Sequence, residues 1–247
     1  MQNVCLVIPC YNEERRLDVP ALSAFLRTHP QMAFCLVDDG SSDGTLGLLE
    51  SLRAAHPDQV IVHPLSPNGG KAAAVRAGVR HAAASGTWPV IGYWDANLST
   101  PLAEVEHLLE PLTNDPACTL VMGSRVKRFG ARIERRLVRH VLGRIFAACA
   151  TGVLGFSVYR LAVRRELFRR ELVDLCFGDP FLTRWLFDLE ILARLRNTRD
   201  GAGLAGAREV PLRAWLEVGG SKLRLREMIN VPLELLEIRR HYRIASR

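Results

Sequence analysis

The chain has 247 residues, of which 48% are hydrophobic and 24% charged, so it is long enough for one α/β domain with a sizeable core. Its formal net charge of +7 and its pI near 9.4 favour an anionic partner, which could be a nucleotide, a nucleic acid or an anionic membrane surface. The longest apolar run, residues 145–158, is too short for a membrane-spanning helix.

Short apolar runs predict five strands that are buried on both faces of a parallel sheet, at residues 4–9, 33–40, 59–65, 89–95 and 118–125. Segments with helical spacing separate them. The first covers residues 19–28, and the second begins near Thr45 with Ser42 or Asp43 as its cap. The third follows the turn PNGGK, and in the fourth Ser99 is the expected cap and Pro101 an early helical position. This alternation predicts an α/β fold with a mostly parallel sheet and helices on both faces.

The clusters that suggest chemistry all lie where predicted strands end. They are PCYNEE, VDDGSSD, PNGGK, DANLS and GSR. Ligands of parallel α/β sheets bind beyond the carboxyl ends of the strands, so we expect these clusters to form one site.

The residue types in these clusters suit a nucleotide diphosphate. Acids at strand ends can hold a divalent cation that bridges phosphates, and Lys71 and Arg125 can add fixed positive charge. The Rossmann fingerprint is absent after the first strand, and PNGGKAAAV lacks the spacing of a Walker A loop. A dinucleotide dehydrogenase is therefore poorly supported.

The order and spacing of four motifs resemble those of the family-2 glycosyltransferases. The motifs are VIPCYNEE, LVDDGSSDGT, NGGKAAAVRAG and WDANLSTP. Within that family the likeness is to the dolichyl- and polyprenyl-phosphate glucose and mannose synthases. It covers residues 4–125 and resumes at WLFDLEILARL and VGGSKLRL. The resemblance implies a glycosyltransferase-A fold, in which one Rossmann-like domain binds a nucleotide sugar with Mg²⁺ or Mn²⁺.

The resemblance also implies roles for single residues. Pro9, Tyr11 and Glu13 would line the nucleobase pocket, and Asp38 and Asp39 would contact the base and the ribose. Lys71 would lie near the nucleotide, and Arg125 and Lys222 would contact the phosphates of donor or acceptor. The Asp-x-Asp that holds the metal and the diphosphate reads Asp95, Ala96 and Asn97 here. Simpler roles stay open, because Asp95 could cap the next helix and Asp38 and Asp39 could form a turn.

The segment TRWLFDLEILARL has helical spacing and matches the family's W-x-F-D-x-E pattern. The match implies that Asp188, like Asp95, is catalytic, as a general base or an orienting group near the acceptor. A solvated helix face is the simpler interpretation of Asp188 and Glu190, and both interpretations stay open.

The sequence departs from the family pattern at two places, and both departures remove acids. Asn97 replaces the second metal aspartate, and an amide oxygen brings no negative charge to a cation. Relatives carry an acidic D-T-Q-C-G-like segment where this chain has YRLAVRRELF, residues 159–168, with Arg160 in place of the acid.

The second half of the chain has a different character. Arginines recur at helical spacing among apolar residues over residues 126–156 and again near the end of the chain. This pattern favours basic amphipathic helices on an anionic membrane over nucleic acid, for which no motif is present. We therefore expect a nucleotide-sugar-binding half, residues 1–125, and an acceptor-side half, residues 126–247, in one continuous domain. GAGLAG, residues 201–206, is expected to be a loop.

The six cysteines form no C-x-x-C pair and mostly lie in apolar runs, which predicts buried, reduced thiols. No signal-peptide pattern precedes the first strand, so a cytoplasmic protein at the inner membrane face is expected.

The expected function is an inverting transfer of glucose or mannose from UDP-glucose or GDP-mannose to a polyprenyl phosphate. Two alternatives follow from Asn97 and the divergent residues 159–168. One is a non-catalytic homologue that binds a nucleotide sugar, and the other is a transferase with a different acceptor.

Overall fold

The computed structural model describes residues 3–125, 132–133, 151, 165–198, 202–216 and 231–243. Within these ranges the strands are β1 (Val4–Cys10), β2 (Met32–Asp39), β3 (Val60–Leu65), β4 (Val90–Tyr93), β5 (Leu120–Ser124), β6 (Arg132–Ile133), β7 (Glu166–Arg169), β8 (Ala207–Pro211) and β9 (Ala214–Trp215). The helices are α1 (Val19–Thr28), α2 (Thr45–Ala55), α3 (Lys71–Ser85), α4 (Glu104–Asn114), α5 (Val173–Phe177), α6 (Phe187–Arg196), α7 (Ala202–Ala205) and α8 (Val231–His241).

Seven of these strands form one sheet, in the order β3-β2-β1-β4-β7-β5-β8. Strands β3, β2, β1 and β4 are parallel to one another, and β8 is parallel to β5. Strand β7 lies between β4 and β5 and is antiparallel to both. The predicted α/β fold with a mostly parallel sheet is confirmed, and all five predicted strands are present. Strands from both predicted halves share this sheet, and the boundary at residue 125 stays a prediction.

The strands are apolar because helices cover both faces of the sheet. One buried layer contains Leu6 and Ile8 of β1 with side chains of α1, α2 and α4. The other contains Val7 with side chains of α3, α5 and α6. Helix α3 lies close against the sheet at Gly78, where an added Cβ would be 2.4 Å from Val7 Cγ1. The core therefore fixes α3, whose N-terminus lies at the carboxyl edge of the sheet.

Three local expectations are wrong. Helix α4 begins at Glu104 after Ala103, and Ser99 instead accepts a hydrogen bond from Arg165. The segment GAGLAG contains the short helix α7 because the chain turns there into β8. Residues Arg132–Ile133, expected to be helical, form strand β6 and pair with β9.

Helix α2 follows Gly44, which makes no side-chain cap. Asp43 takes over part of this role, because its Oδ1 accepts a hydrogen bond from the Thr45 N–H at 3.0 Å. The helix expected near the end of the chain is present as α8. Most of residues 126–156, together with Arg160 and Lys222, lies outside the described residues.

The five cysteines within the described ranges are buried thiols that form no disulfide, as predicted. No helix in those ranges combines the length and the hydropathy that a bilayer span requires.

Candidate functional site

The carboxyl ends of β1, β2 and β4 meet the N-terminus of α3 at one edge of the sheet. Asp38 and Asp39 end β2, Lys71 begins α3, and Asp95 follows β4 by two residues. The parallel register brings these segments level, because Cys10 pairs with Asp38 and Val7 with Tyr93. The structure thus brings together the acids and the lysine that the sequence assigns to the site.

Asp39 holds the glycine turn in front of α3. Its Oδ1 accepts a hydrogen bond from the Gly69 N–H at 2.9 Å, and its Oδ2 accepts from the Gly70 N–H at 3.0 Å and from Asn68 Nδ2 at 2.9 Å. Gly70 has a φ of +85°, which glycine adopts without steric cost. Burial raises the pKa of the Asp39 carboxyl, and the two glycine N–H groups and Arg184 act in the opposite direction. The carboxylate of Asp39 is therefore committed to this turn.

Asp38 differs from its neighbour in its bonding. Its Oδ2 accepts a hydrogen bond from the Ser41 N–H at 3.3 Å, whereas its buried Oδ1 has no hydrogen-bond partner among the described residues. A buried carboxylate oxygen without a donor is costly unless a ligand supplies one. Asp38 is thus the member of the pair that can receive a donor from a base or a ribose.

Asp95 lies between two cations. Lys71 Nζ is 2.5 Å from Asp95 Oδ1, and Arg165 Nη1 is 2.7 Å from Asp95 Oδ2. The side chains of Lys71 and Asp95 are 17% and 16% exposed, whereas that of Arg165 is 2% exposed. The antiparallel register, in which Tyr93 pairs with Glu166, carries Arg165 to the chain directly after β4.

The predicted metal ligands do not fit a divalent cation in this arrangement. Both carboxylate oxygens of Asp95 are bonded to cationic side chains, and Asn97 Oδ1 accepts a hydrogen bond from the Ser99 N–H at 3.1 Å. No group of three or more His, Cys, Asp or Glu side chains is arranged to hold a metal in the described part of the chain. The divalent cation, with Asp95 and Asn97 as its ligands, stays a prediction.

Three acids, Asp188, Glu166 and Asp95, lie close enough to the buried Tyr93 hydroxyl to act on it. The Tyr93 hydroxyl donates a short hydrogen bond to Asp188 Oδ1. Glu166 is 1% exposed, and burial, followed by the charge of Asp188, raises its pKa well above the ordinary value. Burial and then Asp188 also raise the pKa of Tyr93. Tyr93 fixes the Asp188 carboxylate, and Glu166 keeps its proton to a higher pH than an exposed glutamate does.

Glu190, the second acid of the D-x-E segment, has a structural role. Glu190 is fully buried, and its Oε1 accepts hydrogen bonds from Arg194 Nη2 and from the Tyr242 hydroxyl, both at 2.8 Å. Its Oε2 accepts from the Leu182 N–H at 2.9 Å. Glu190 therefore ties α6 to α8 and to the preceding loop. A solvated helix face is excluded for this residue.

The predicted nucleobase residues surround the end of β1. Pro9 lies in β1 and pairs with Val37, and Tyr11 is 39% exposed. Glu13 is buried, and its N–H donates a hydrogen bond to Thr45 Oγ1 at 2.8 Å. These contacts hold the first loop against the start of α2.

The remaining predicted residues have varied positions. Ala96 is buried in the core. The Arg125 guanidinium lies 4.8 Å from the centroid of the Trp215 ring, a cation–π contact at the end of β5. Lys222 lies outside the described residues.

No sequence pattern indicates a role in the site for four of its residues: Tyr93, Arg165, Glu166 and Arg184. The pattern around Tyr93 is that of an ordinary strand residue, and no spacing distinguishes Arg165 from the other arginines near it. Arg184 lies beside Gly70, where an added Cβ would be 2.7 Å from its Nε. The position of β7 beside β4 explains Arg165 and Glu166, but a strand this short carries little signal of its own.

Comparison with known sequences identifies relatives along almost the whole chain. The family model described as Glycosyl transferase family 2 matches residues 5–177. A dolichyl-phosphate beta-glucosyltransferase of Trichomonas vaginalis is 30% identical over 96% of this chain and 71% of its own. A polyprenol monophosphomannose synthase of Mycolicibacterium smegmatis is 30% identical over 70% of this chain and 64% of its own. The human dolichyl-phosphate beta-glucosyltransferase is 28% identical over 91% of this chain and 75% of its own.

Solved structures share the fold. Glucosyl-3-phosphoglycerate synthase from Mycobacterium tuberculosis, in complex with Mn²⁺, UDP and glucosyl-3-phosphoglycerate, matches with a TM-score of 0.65 and 20% identity, over 98% of this chain and 80% of that chain. Mannosyl-3-phosphoglycerate synthase from Rubrobacter xylanophilus matches with a TM-score of 0.67 and 20% identity, over 98% of this chain and 74% of that chain. At this identity the likeness establishes the glycosyltransferase-A fold alone.

Proposed function

This chain belongs to glycosyltransferase family 2, and from that premise we propose that it transfers a hexose from a nucleotide diphosphate sugar to a polyprenyl phosphate. The names of its relatives support the acceptor class, since they act on dolichyl phosphate or form a polyprenol monophosphomannose. Glucose and mannose are the candidate hexoses, and UDP-glucose and GDP-mannose are the candidate donors.

The Lys71–Asp95 ion pair at the N-terminus of α3 is the observation that carries this proposal. A helix N-terminus and a lysine together favour a bound diphosphate. Asp38, at the end of the neighbouring strand, offers a buried acceptor oxygen to the base or the ribose. The donor would therefore lie across the carboxyl edge, with its diphosphate at Lys71.

The proposed reaction is an in-line displacement at the anomeric carbon. An oxygen of the acceptor phosphate forms the new bond to that carbon as the bond to the donor diphosphate breaks, and the nucleoside diphosphate leaves with the electron pair. The acceptor phosphate is already ionised, so no base has to remove a proton. Lys71 stabilises the charge on the departing diphosphate, and Asp188, held by Tyr93, orients the sugar or the acceptor.

The acceptor side of the site is proposed to lie toward a membrane surface. Arg125 and Lys222, which adjoin the basic segments of the second half in the sequence, are the candidate contacts to the acceptor phosphate. Helix α8 supports this proposal, because its Leu233 and Leu236 side chains are 67% and 37% exposed. An amphipathic helix with such residues can lie at the bilayer interface. The protein would then be peripheral, at the cytoplasmic face.

The transfer reaction can be tested directly. Purified protein is incubated in detergent with a short polyprenyl phosphate and with labelled UDP-glucose or GDP-mannose, and label in the lipid phase is measured. Transfer from one donor is expected, and Lys71→Met should abolish it. Arg53→Gln, an exposed arginine variant on α2, is the control and should transfer normally.

Two other outcomes would replace this proposal. Donor binding without transfer or hydrolysis would indicate a non-catalytic nucleotide-sugar-binding protein. Transfer that persists without polyprenyl phosphate, to a soluble acceptor, would indicate a different acceptor class.

A further inference from the structure

We propose that Arg165 takes the place of the divalent cation at this site, so that the nucleotide diphosphate is bound without a metal. The proposal rests on the proposed function, since it concerns how the same site receives the diphosphate. It follows from the two departures of the sequence, at Asn97 and at residues 159–168, which the structure connects: β7, which includes the end of the divergent segment, places Arg165 on Asp95.

The charges of the site give the first reason. A site with two aspartates, one divalent cation and one lysine has a net charge of plus one. Here Asp95 contributes minus one, Asn97 contributes nothing, and Lys71 and Arg165 each contribute plus one, so these four described side chains again sum to plus one without a metal. The loss of one acid and the gain of one buried arginine therefore compensate each other.

The burial of Arg165 gives the second reason. Its side chain is 2% exposed, and its guanidinium brings a positive charge into the interior. A buried charge is costly unless it is paired, and among the described residues the Asp95 carboxylate pairs with Arg165 at 2.7 Å. A divalent cation on Asp95 would both remove this partner and bring a second positive charge close to Arg165. The fold thus disfavours a metal at Asp95.

The contacts of Arg165 show that its position is fixed. Nη2 donates a hydrogen bond to Ser99 Oγ at 2.8 Å, and the guanidinium carbon lies 5.7 Å from the centroid of the Trp94 ring. Arg165 therefore holds the loop from Trp94 to Ser99 and neutralises Asp95 from the protein side. Lys71, which pairs with Asp95 and is 17% exposed against 2% for Arg165, contacts the phosphates. Arg165 is a positioning residue, and Lys71 touches the substrate.

Nucleotide binding tests this proposal without any transfer reaction. Isothermal titration with UDP and with GDP is carried out on the full chain, once with EDTA and once with Mn²⁺. We expect one nucleotide to bind with a Kd that changes less than about threefold between the two conditions. Binding that requires Mn²⁺ would overturn the role of Arg165 and leave the proposed function standing. Absence of binding in both conditions would overturn the proposed function as well.

A pair of variants tests the exchange of arginine for metal. Arg165→Gln should weaken nucleotide binding in EDTA by about tenfold or more, because the charge of Asp95 is then only partly compensated. The double variant Arg165→Gln with Asn97→Asp restores two acids, and Mn²⁺ should strengthen its binding by about tenfold or more. Arg53→Gln is the control and should match the unaltered protein. A double variant that is indifferent to Mn²⁺ would contradict the proposal.

The variants must be shown to fold, because Arg165 is buried. Thermal unfolding is recorded for each, and Asn97→Asp alone, at a half-buried loop position, is included. With Arg165 present, this single variant should bind nucleotide more weakly in EDTA and should not be rescued by Mn²⁺. Rescue by Mn²⁺ would show that Arg165 does not exclude the metal.

Discussion

Two adjacent aspartates at the end of β2 have different roles, although the sequence pattern does not distinguish one from the other. Asp39 accepts three hydrogen bonds from the Asn68–Gly70 turn, whereas Asp38 Oδ1 has no partner among the described residues. We expect Asp39→Ala to lower the free energy of unfolding by about 1–3 kcal/mol, because the turn loses three hydrogen bonds to one carboxylate. Asp38→Asn should leave stability unchanged and weaken nucleotide binding by about tenfold. Thermal unfolding and nucleotide titration of both variants check this, and the reverse pattern would contradict it.

The buried carboxyl of Glu166 makes the protein less stable as pH rises, whereas an ion-paired carboxylate makes a protein more stable as pH rises. Its pKa is raised in the folded protein by burial, so the folded state keeps a proton that the unfolded chain releases above the ordinary value of 4.5. Its contribution to stability is therefore complete below that value and is lost as pH rises through the raised pKa. Each tenfold difference in proton affinity between the folded and unfolded states corresponds to about 1.4 kcal/mol of this contribution.

Glu166→Gln should remove this part of the pH dependence and be more stable than the unaltered protein at neutral pH. Urea unfolding between about pH 4 and pH 8 measures the effect. Glu171→Gln, an exposed glutamate variant close by in the chain, is the control and should retain the original slope. Parallel pH profiles for the Glu166 variant and the unaltered protein would show that burial of Glu166 has no such consequence.

At the scale of elements, helix α3 is held at a fixed distance from the sheet by a glycine. An added Cβ at Gly78 would be 2.4 Å from Val7 Cγ1 and 2.5 Å from Val37 Cγ2, whereas an added Cβ at Gly47, on α2, would meet no atom within 4 Å. Gly78→Ala should therefore destabilise the protein by about 1–3 kcal/mol through overpacking. Gly47→Ala should stabilise it by about 0.5–1 kcal/mol through helix propensity. Chemical unfolding of both variants measures the difference, and equal effects would contradict the close packing of α3.

The elements that the sequence predicts well are those with long apolar runs. Strands β1 to β5 and helices α1 to α4 each repeat a local pattern, and their parallel order follows from it. Strand β7 could not be predicted in this way, because its position between β4 and β5 depends on pairing with residues far along the chain. Arg165, which directly precedes β7, and Glu166, the first residue of β7, could not be predicted for the same reason. Lys71 and Asp95 could be predicted because they lie on elements with a clear local pattern.

At the scale of the whole molecule, charge and exposed apolar surface point to the same kind of partner. The net charge of +7 favours an anionic surface, and α8 exposes Leu233 and Leu236. The inner side of this helix is buried through Leu235 and Ile238, and Tyr242, just beyond its end, bonds to Glu190. Helix α8 is therefore fixed to the domain while its outer leucines are exposed.

We expect the protein to sediment with anionic vesicles and to be released by salt, because the charge contribution is screened within about 10 Å at 0.1 M ionic strength. Leu233→Ser with Leu236→Ser should weaken this binding by about tenfold or more, since two apolar side chains no longer enter the interface. Leu175→Ser is the matched control, because Leu175 is 41% exposed on α5. An equal loss of vesicle binding in the control would show that exposed apolar side chains in general, and not those of α8 in particular, contact the membrane. Binding that is unchanged between anionic and neutral vesicles would exclude an electrostatic contribution.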